Sequence, residues 1–459
     1  MAKIPSGSAG DTAWSSRLLF VLAATGSAVG LGNVWKFPYI VGEYGGGAFV
    51  LVYLLCIAAV GLPLLISEVL LGRLGRGSPM VSVGAVARAA GRSSAWGAIG
   101  ALAMAAVLMI LSFYSVVGGW GMAYIAFAAQ GRFQDAVAAP QGTAEAIGAL
   151  FSGLLASPGT LIAWHAAFML ITAAIVARGV RGGLEQATKI LMPGLFLLLL
   201  GLVAYAAVTT DAFGQTIEFL FSPDLSRLSA TGVLTAMGHA FFSLSLGMAI
   251  MLAYGSYLPE SYNIGRMALI VAILDTVVAL LAGLAIFPLV FAHGLAPGAG
   301  PGLVFVSLPI AFADMPGGAL VGALFFLFLF IAALTSSISM LEPAVEYLSN
   351  ERGWRRPRAA WTVAVLVWVA GLGAALSFNL WSEFKLGGRT VFDLLDFVAS
   401  NLMLPLGGLL VALFAGWRVP RQMLRESLAL NEAAFRGWHA TLRYVTPLGV
   451  AVILLYGLM

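Results

Sequence analysis

The chain has 459 residues, of which 61% are hydrophobic and only 10% are charged. Soluble domains are about 25% charged, so this composition excludes a soluble globular protein and predicts a helical protein that crosses a membrane several times. The net charge of +4 is too scattered to indicate a nucleic-acid surface, and a single cysteine, Cys56, excludes a disulfide framework within the chain.

Eleven segments are apolar enough to span a bilayer, which requires about 20 predominantly apolar residues. The predicted spans are residues 15–37, 47–71, 95–128, 160–177, 187–208, 231–257, 267–292, 318–348, 359–377, 391–416 and 440–458. Three longer connections, rich in Gly, Pro and Ser, occupy residues 129–159, 209–230 and 293–317. No soluble domain is visible, so we expect residues 1–459 to form a single transmembrane domain.

The basic residues predict the orientation of these spans. With the N-terminus inside the cell, 19 of the 24 Lys and Arg residues fall in cytoplasmic segments and five fall outside. This asymmetry follows the positive-inside rule and supports the number of spans as well as their direction. The short N-terminal segment lacks the pattern of a cleaved signal peptide, so we expect span 1 to be retained. We predict a multi-pass protein of the inner (cytoplasmic) membrane with a cytoplasmic N-terminus.

Span 1 contains the stretch GSAVGLGNVWKFP at residues 26–38, which is poorly suited to a continuous membrane helix. Glycine weakens helices, and the amide of Asn33 and the charge of Lys36 are costly in hydrocarbon. Span 6 has a second interruption, SLSLG at residues 243–247. Paired interruptions five spans apart indicate two inverted five-span repeats, with a binding site where the broken helices meet.

The expected repeats cover about residues 15–208 and 231–416, and an extra helix covers about 440–458. Where a membrane helix unwinds, its free backbone groups need other partners. A cation can take the carbonyl oxygens, and a carboxylate can take the amides at the start of the next half-helix. The alternative is that small residues merely allow close helix packing, which does not explain Asn33 or the second interruption.

Five motifs carry a resemblance to a known family. They are GSAVGLGNVWKFPY in span 1, GGGAF and GLPLL followed by Glu and Gly-Arg in span 2, AFFSLSLGM in span 6 and LTSSIS in span 8. From Trp14 to about residue 415, the chain resembles the neurotransmitter:sodium symporter family, most of all its bacterial eleven-span amino-acid transporters. The resemblance implies an all-α, leucine-transporter-type fold with broken helices 1 and 6, and sodium-coupled amino-acid uptake by alternating access.

Position by position, the resemblance implies two sodium sites and no organic cofactor. The first site would use Ala28, Asn33, Ser243 and Asp275, and the second would use Gly26, Val29, Ala332, Thr335 and Ser336. These supply the hard oxygen donors that such cations prefer. From the residues alone, Thr335 and Ser336 have another interpretation, since hydroxyls in membrane helices often bond back to their own carbonyls. Asn33 could also simply join two helices.

The resemblance also implies a set of substrate contacts around the two helix breaks. They are Ala28, Leu31, Gly32, Ile110, Tyr114, Phe242, Ser243, Ser245, Met248, Ser336 and Met340. The amides of Leu31 and Gly32 and the hydroxyl of Tyr114 would hold the substrate carboxylate, with Phe242 as a lid. Without the resemblance, methionine and aromatic side chains in apolar spans would be interpreted as packing.

Further positions correspond to gates and supports in the family. Lys36 and Asp396 match the outer gate, beside Tyr114 and Phe242. Glu68 is expected to bond the freed backbone of span 6 as a structural support rather than as a ligand. Gly183 and Pro193 are separated by nine residues, a spacing that marks the unwinding of span 5 in related members. The alternative is an ordinary helix start with proline in an early turn.

The expected inner gate departs from the family pattern. Asp11 and Asn350 stand where relatives pair an arginine with an aspartate, so that ion pair cannot form. We expect other contacts to close the inner side, with Glu342 and Tyr257 as candidates.

Three further departures concern charge near the outer half of the site. Asp275 stands at a span 7 position that is often Asn in the family, and it would supply a fixed negative charge next to the first sodium. Ala279 stands where chloride-independent members often carry Glu and chloride-dependent members Ser. His239 replaces a glutamine near the outer gate. It either titrates near neutral pH or stays neutral within a polar cluster.

The expected function is sodium-coupled uptake of neutral, large hydrophobic L-amino acids without chloride, with proton counter-transport as a further expectation. Gly30 has no side chain to bind an amine in place of a substrate carboxylate, which favours a zwitterionic amino acid over a monoamine. The partners are an amino acid and the lipid bilayer, with no nucleic acid. The alternatives are an amino-acid sensor or an ion channel on the same fold. Scattered histidines without metal or triad spacing argue against an enzyme.

Overall fold

The computed structural model describes residues 14–298, 300 and 302–458. Within these residues the regular structure is helical, apart from an isolated bridge between Leu386 and Arg389. In the same part of the chain, nine helices are long and apolar enough to cross a membrane, or ten when the bent pair of span 1 is counted. The predicted span 6 is present as two shorter helices. The prediction of an all-α membrane protein with about eleven spans is therefore confirmed.

Span 1 comprises helix Arg17–Ala28 and the continuous helical segment Gly32–Glu43. Span 6 comprises helices Ala230–Ser243 and Ile250–Ser256. The other spans are Gly47–Gly75, Ser94–Ala129, Pro158–Val176, Val180–Thr209, Ile264–Ala292, Gly318–Glu351, Arg356–Leu376, Val391–Arg418 and Glu432–Leu458, numbered here as spans 2 to 5 and 7 to 11.

Span 1 is broken where the sequence predicts it. Ser16 caps the first half by accepting a hydrogen bond from the amide of Leu19 at 3.1 Å. The helix ends at Ala28, the next residue is extended, and the second half leaves at an angle of 50° to the first. It begins with a wide π-helical turn at Gly32–Lys36. The free backbone groups of residues 26–31 thus lie in the interior of the protein.

Span 6 is broken more severely than span 1. Three alternate residues, Ser245, Gly247 and Ala249, have positive φ angles of 55°, 72° and 62°. This left-handed conformation is uncommon for residues other than glycine and costs about 1–3 kcal/mol at each strained position. Such strain is found at functional sites, where the surrounding structure enforces it.

The long connections contain short helices. They are Arg132–Val137 and Thr143–Ala156 after span 3, Phe213–Phe221 after span 5, and Leu303–Ser307 with Leu308–Asp314 after span 7. Helices Pro79–Ala89 and Arg421–Leu428 lie in two further connections.

The broken spans are enclosed by long continuous ones. Span 8 packs along span 3 and against the first half of span 1, while span 2 packs against the second half of span 6. Buried aliphatic and aromatic side chains form one core that includes both breaks. Span 7 also packs against both halves of span 1, so spans 2, 3, 7 and 8 surround the two breaks.

Candidate functional site

A narrow cavity, with space of only about 10 Å³ for a water-sized sphere, lies where the two breaks meet. It is lined by Ser27, Ala28, Gly30, Leu31, Gly32, Tyr114, Phe242, Ser243, Ser245, Met248, Ser336 and Met340. These include every predicted substrate contact except Ile110, which is fully buried one helical turn before Tyr114 and does not line the cavity. Ser27 and Gly30 are additional lining residues. None of the described residues that line this cavity is charged.

One end of the cavity is polar. The amide of Leu31 donates a hydrogen bond to the Tyr114 hydroxyl at 3.2 Å, so two of the predicted carboxylate contacts bond to each other. The Ser245 hydroxyl donates to the carbonyl of Ser27 at 3.0 Å and thereby ties the two breaks together. A carboxylate placed here would meet the amides at the start of the second half of span 1, where the helix dipole favours negative charge.

The other lining side chains make a mostly apolar wall. Met248 and Met340 are buried, with 1% and 3% of their surface exposed. The Phe242 ring lies beside Gly32, and the Lys36 ammonium lies over this ring, 5.1 Å from its centroid. Methionine side chains are flexible and can adapt to ligands of different shapes.

The predicted first sodium site is a compact polar cluster. The Asn33 amide nitrogen donates to Asp275 Oδ1 at 2.8 Å and to the Asp275 carbonyl at 3.0 Å. The Ser243 hydroxyl donates to Asp275 Oδ2 at 2.6 Å. Tyr53, which the sequence analysis missed, places its hydroxyl 3.2 Å from Ser243 Oγ and 3.5 Å from Asp275 Oδ2. Ala28, the fourth predicted ligand, lines the adjoining cavity.

The predicted second sodium site contains carbonyl oxygens that converge on one hydroxyl. Ser336 Oγ lies 3.3, 3.1 and 3.2 Å from the carbonyl oxygens of Gly26, Ser27 and Val29. Thr335 Oγ1 instead bonds back to the carbonyls of Ile331 and Ala332 in its own helix. The hydroxyl has one proton and can donate it to only one of these carbonyls at a time. The remaining carbonyl oxygens are therefore free to coordinate a hard cation.

Glu68 lies next to the break in span 6. Its Oε1 accepts a hydrogen bond at 2.8 Å from the amide of Gly247, which has no helical partner. A Cβ on Gly247 would lie only 2.6 Å from the Leu404 carbonyl, so glycine is needed there for space as well as for its φ angle. Glu68 thus bonds a free backbone amide of the broken span 6.

The predicted outer gate residues are not paired in this form. Between Lys36 and Asp396, both within the described chain, there is no ion pair shorter than 4 Å, and Asp396 instead accepts a bond from Ser400 at 2.7 Å. His239 is buried against the rings of Phe37 and Tyr53, which also contact each other. Its ring nitrogens have no hydrogen-bond partner among the described residues, which differs from the bonded polar cluster considered as an alternative.

The side that we predict to face the cytoplasm is closed by contacts from the start of span 1. The Trp14 indole donates to the Tyr254 carbonyl at 3.1 Å, and its ring packs edge-on against Tyr254 and Tyr257. Ser15 gives two hydrogen bonds to the Glu185 carboxylate, at 2.7 Å from its amide and 2.8 Å from its hydroxyl.

Span 5 is wound throughout the segment that was expected to open. A π-helical stretch, Val180–Glu185, includes Gly183, and Pro193 lies within the following helix, Gln186–Thr209. The proline is thus in the helix interior, not in an early turn. Of the two departures at the inner gate, Asp11 lies outside the described residues, and Asn350 lies in the final helical turn of span 8.

Comparison with known proteins decides which family this architecture represents. The sequence profile of the sodium:neurotransmitter symporter family matches residues 11–137 and 147–459. The chain belongs to this family. It is therefore a multi-pass membrane protein of a sodium-dependent transporter family, which agrees with the expectation that it is not an enzyme.

Relatives of this family member extend from bacteria to animals. An uncharacterized sodium-dependent transporter of Bacillus subtilis (strain 168), YhdH, is 38% identical over 446 residues, or 96% of both chains. The human sodium- and chloride-dependent taurine transporter is 26% identical over 84% of this chain and 68% of its own.

A solved structure of the same fold is also similar. The crystal structure of MhsT in complex with L-phenylalanine matches with a TM-score of 0.88 and 40% sequence identity, covering 98% of this chain and all of the MhsT chain.

Proposed function

We propose that the chain is a sodium-coupled symporter for large, neutral, hydrophobic L-amino acids. The observation that carries this proposal is the uncharged cavity with a polar end at the Leu31 amide and Tyr114 hydroxyl, and methionines in its wall. The L-phenylalanine bound to MhsT supports the same substrate class.

The substrate would be oriented by its two charged groups. The amides of Leu31 and Gly32 and the Tyr114 hydroxyl would bind the carboxylate. The ammonium group would lie near the carbonyls of the two breaks, because no lining side chain carries a negative charge. The hydrophobic side chain would then lie against Met248 and Met340, where each buried methylene contributes about 0.8 kcal/mol.

The two cation sites would couple transport to sodium. Site 1 would combine Ala28, Asn33, Ser243 and Asp275, and site 2 would combine Gly26, Val29, Ala332, Thr335 and Ser336. Sodium in site 2 would join the break in span 1 to span 8, since the carbonyls of Gly26 and Val29 come from span 1 and the other ligands come from span 8. Because span 1 and span 8 belong to different proposed repeats, bound sodium would stabilise one arrangement of the two repeats. Alternating access requires such a preference for one arrangement when the ion is bound.

The carboxylate of Asp275 would supply the negative charge that a bound chloride ion could otherwise provide. It is fully buried and touches the Asn33 amide, Ser243 and Tyr53, so a negative charge is built into the first sodium site. Uncompensated charge in a low-dielectric interior is costly. Transport should therefore need no chloride. After sodium leaves, Asp275 would take up a proton, and the return of the empty protonated carrier would give proton counter-transport.

The proposed substrate class can be tested by binding. Purified protein in sodium buffer would be titrated with labelled L-phenylalanine, and the other amino acids would be added as competitors. We expect leucine and aromatic amino acids to compete better than alanine, glycine or glutamate. The variant Tyr114→Phe should bind L-phenylalanine more weakly by about tenfold or more, because a hydrogen bond to a charged group contributes about 1.5–3 kcal/mol. Glycine or glutamate as the best ligand would contradict the proposal.

A further inference from the structure

Two buried carboxylates lie at the end of span 8 that we predict to face the cytoplasm. Glu342 and Glu346 are one helical turn apart and are 0% and 1% exposed. They belong to one polar face of span 8, which also includes Thr335 and Ser339, at spacings of three and four residues. We call Glu342, Glu346, Arg356, Ser256 and Tyr257 the inner cluster.

Glu342 is fully satisfied as an ionised carboxylate. Its Oε1 accepts a hydrogen bond from the Tyr257 hydroxyl at 2.9 Å, and its Oε2 pairs with the Arg356 guanidinium. Arg356 is held in place by a second bond, from its Nε to the carbonyl of Val176 at 3.1 Å. This ion pair connects spans 8 and 9, and Tyr257 adds span 6.

Glu346 has no comparable partner. Its Oε1 accepts a bond from the Ser256 hydroxyl at 2.9 Å, but its Oε2 is buried with no hydrogen-bond partner among the described residues. The charged groups that act on it are Glu342, which repels a second negative charge, and Arg356, which already pairs with Glu342; the Tyr257 hydroxyl also faces it. Arg76, directly after span 2, bonds the carbonyls of Ser256 and Leu258 and pairs with Glu260 at 3.6 Å, so its charge is directed away from Glu346. The inner cluster thus has one positive charge for two carboxyl groups.

We propose that Glu346 is a proton-binding site that is occupied when the inner side is closed. A proton from cytoplasmic water binds Oε2 of Glu346 as spans 6, 8 and 9 close, and it returns to water when they separate. An ionised, unpaired carboxylate in this dry position would be costly, whereas the neutral acid is not. The consequence for transport rests on the alternating access of the proposed function, but the protonation itself does not.

The proposal predicts the direction of a pH effect on the inner gate. Because the closed form binds the proton and the open form releases it, the closed form is favoured at low pH, and this preference is lost as the pH rises. One proton changes the ratio of open to closed protein by up to tenfold per pH unit. Glu346→Gln mimics the protonated acid and should keep the gate biased towards the closed form at every pH.

The protonation state can be tested on the purified full-length protein by infrared spectroscopy. The spectrum of Glu346→Gln subtracted from that of the wild type should contain the carbonyl band of a protonated carboxylic acid, which shifts in heavy water. The matched variant is Glu342→Gln, one turn away, whose difference spectrum should contain carboxylate bands instead. Glu342→Gln should also lower the thermal unfolding midpoint, because Arg356 loses its partner, whereas Glu346→Gln should not. Carboxylate bands for Glu346→Gln, or an equal loss of stability, would overturn the proposal.

Gate opening can be measured with one cysteine. Ser339→Cys in a Cys56→Ala background places a thiol in the closed interface of spans 6 and 8, where Ser339 receives a hydrogen bond from Tyr254 at 2.6 Å. Labelling by a membrane-impermeant maleimide would be compared with and without Glu346→Gln, which cancels the intrinsic pH dependence of the thiol. The labelling rate of the protein with Glu346, divided by the rate of the Glu346→Gln variant, should rise with pH by up to tenfold per unit. A ratio independent of pH would overturn the proposal, and neither measurement requires transport to occur.

Discussion

Gly30 is the position where a single added methyl group should affect the binding site most. A Cβ at Gly30 would lie 2.5 Å from Ser336 Oγ and 2.8 Å from Tyr114 Oη. Real Cβ atoms essentially never approach other atoms this closely, so both hydroxyls must move. Ser336 faces the carbonyls of the proposed second sodium site, and Tyr114 is the proposed carboxylate contact. The variant Gly30→Ala therefore perturbs both proposed ligands together.

The size of this effect follows from the two contacts. Overpacking a tight interior costs about 1–3 kcal/mol of stability. Loss of the hydrogen bond between Tyr114 and a substrate carboxylate removes about 1.5–3 kcal/mol of binding free energy, which corresponds to about 10- to 150-fold in affinity. Gly32→Ala is the matched control, because its Cβ would lie 3.4 Å from the Phe242 ring, an ordinary contact.

The assay is equilibrium binding of labelled L-phenylalanine to purified Gly30→Ala, Gly32→Ala and wild-type protein in saturating sodium. We expect at least tenfold weaker binding for Gly30→Ala and a change of less than about threefold for Gly32→Ala. The reasoning is refuted if Gly30→Ala binds as tightly as the wild type, or if both variants lose the same affinity.

Three further outcomes follow from the proposed site. Tryptophan should displace labelled L-phenylalanine and tryptamine should not, because Gly30 offers no carboxylate for an amine; equal competition would disprove this. The double variant Thr335→Ala with Ser336→Ala should bind sodium about tenfold or more weakly, whereas Ser337→Ala, whose hydroxyl bonds Thr172 at 2.8 Å, should not; unchanged sodium affinity would reassign both hydroxyls to packing. Replacing chloride by gluconate should leave uptake unchanged, and Asp275→Asn should weaken sodium binding; loss of most of the wild-type uptake in gluconate would contradict the proposed charge balance.

The helix breaks were predictable because local chemistry dictates them. Glycines with Asn33 and Lys36 in span 1, and serines with Gly247 in span 6, are incompatible with a continuous helix in lipid. The local sequence does not predict the angle of 50° in span 1 or the left-handed residues in span 6, because both depend on the spans packed around them. Helix ends were also displaced. Span 5 begins at Val180 rather than near residue 187, because the polar stretch around Gly183 and Glu185 stays helical.

Contacts between distant residues could not be predicted from spacing alone. Tyr53 follows a recognised motif, but only the fold brings its hydroxyl to Asp275, 222 residues away. Similarly, Glu342 and Tyr257 were expected near the inner gate from their positions, whereas the partner Arg356 was not, since it belongs to the basic start of the next span. Ile110 was assigned to the cavity wall by resemblance, yet its side chain is packed in the core.

Uptake into liposomes tests the central claim most directly. Purified protein would be reconstituted, and labelled L-phenylalanine uptake would be followed under an inward sodium gradient, with choline replacing sodium in a parallel sample. The account predicts accumulation above the external concentration that requires sodium and collapses when an ionophore dissipates the gradient. Uptake that only equilibrates the amino acid, or that is equal in sodium and choline, would contradict sodium-coupled symport.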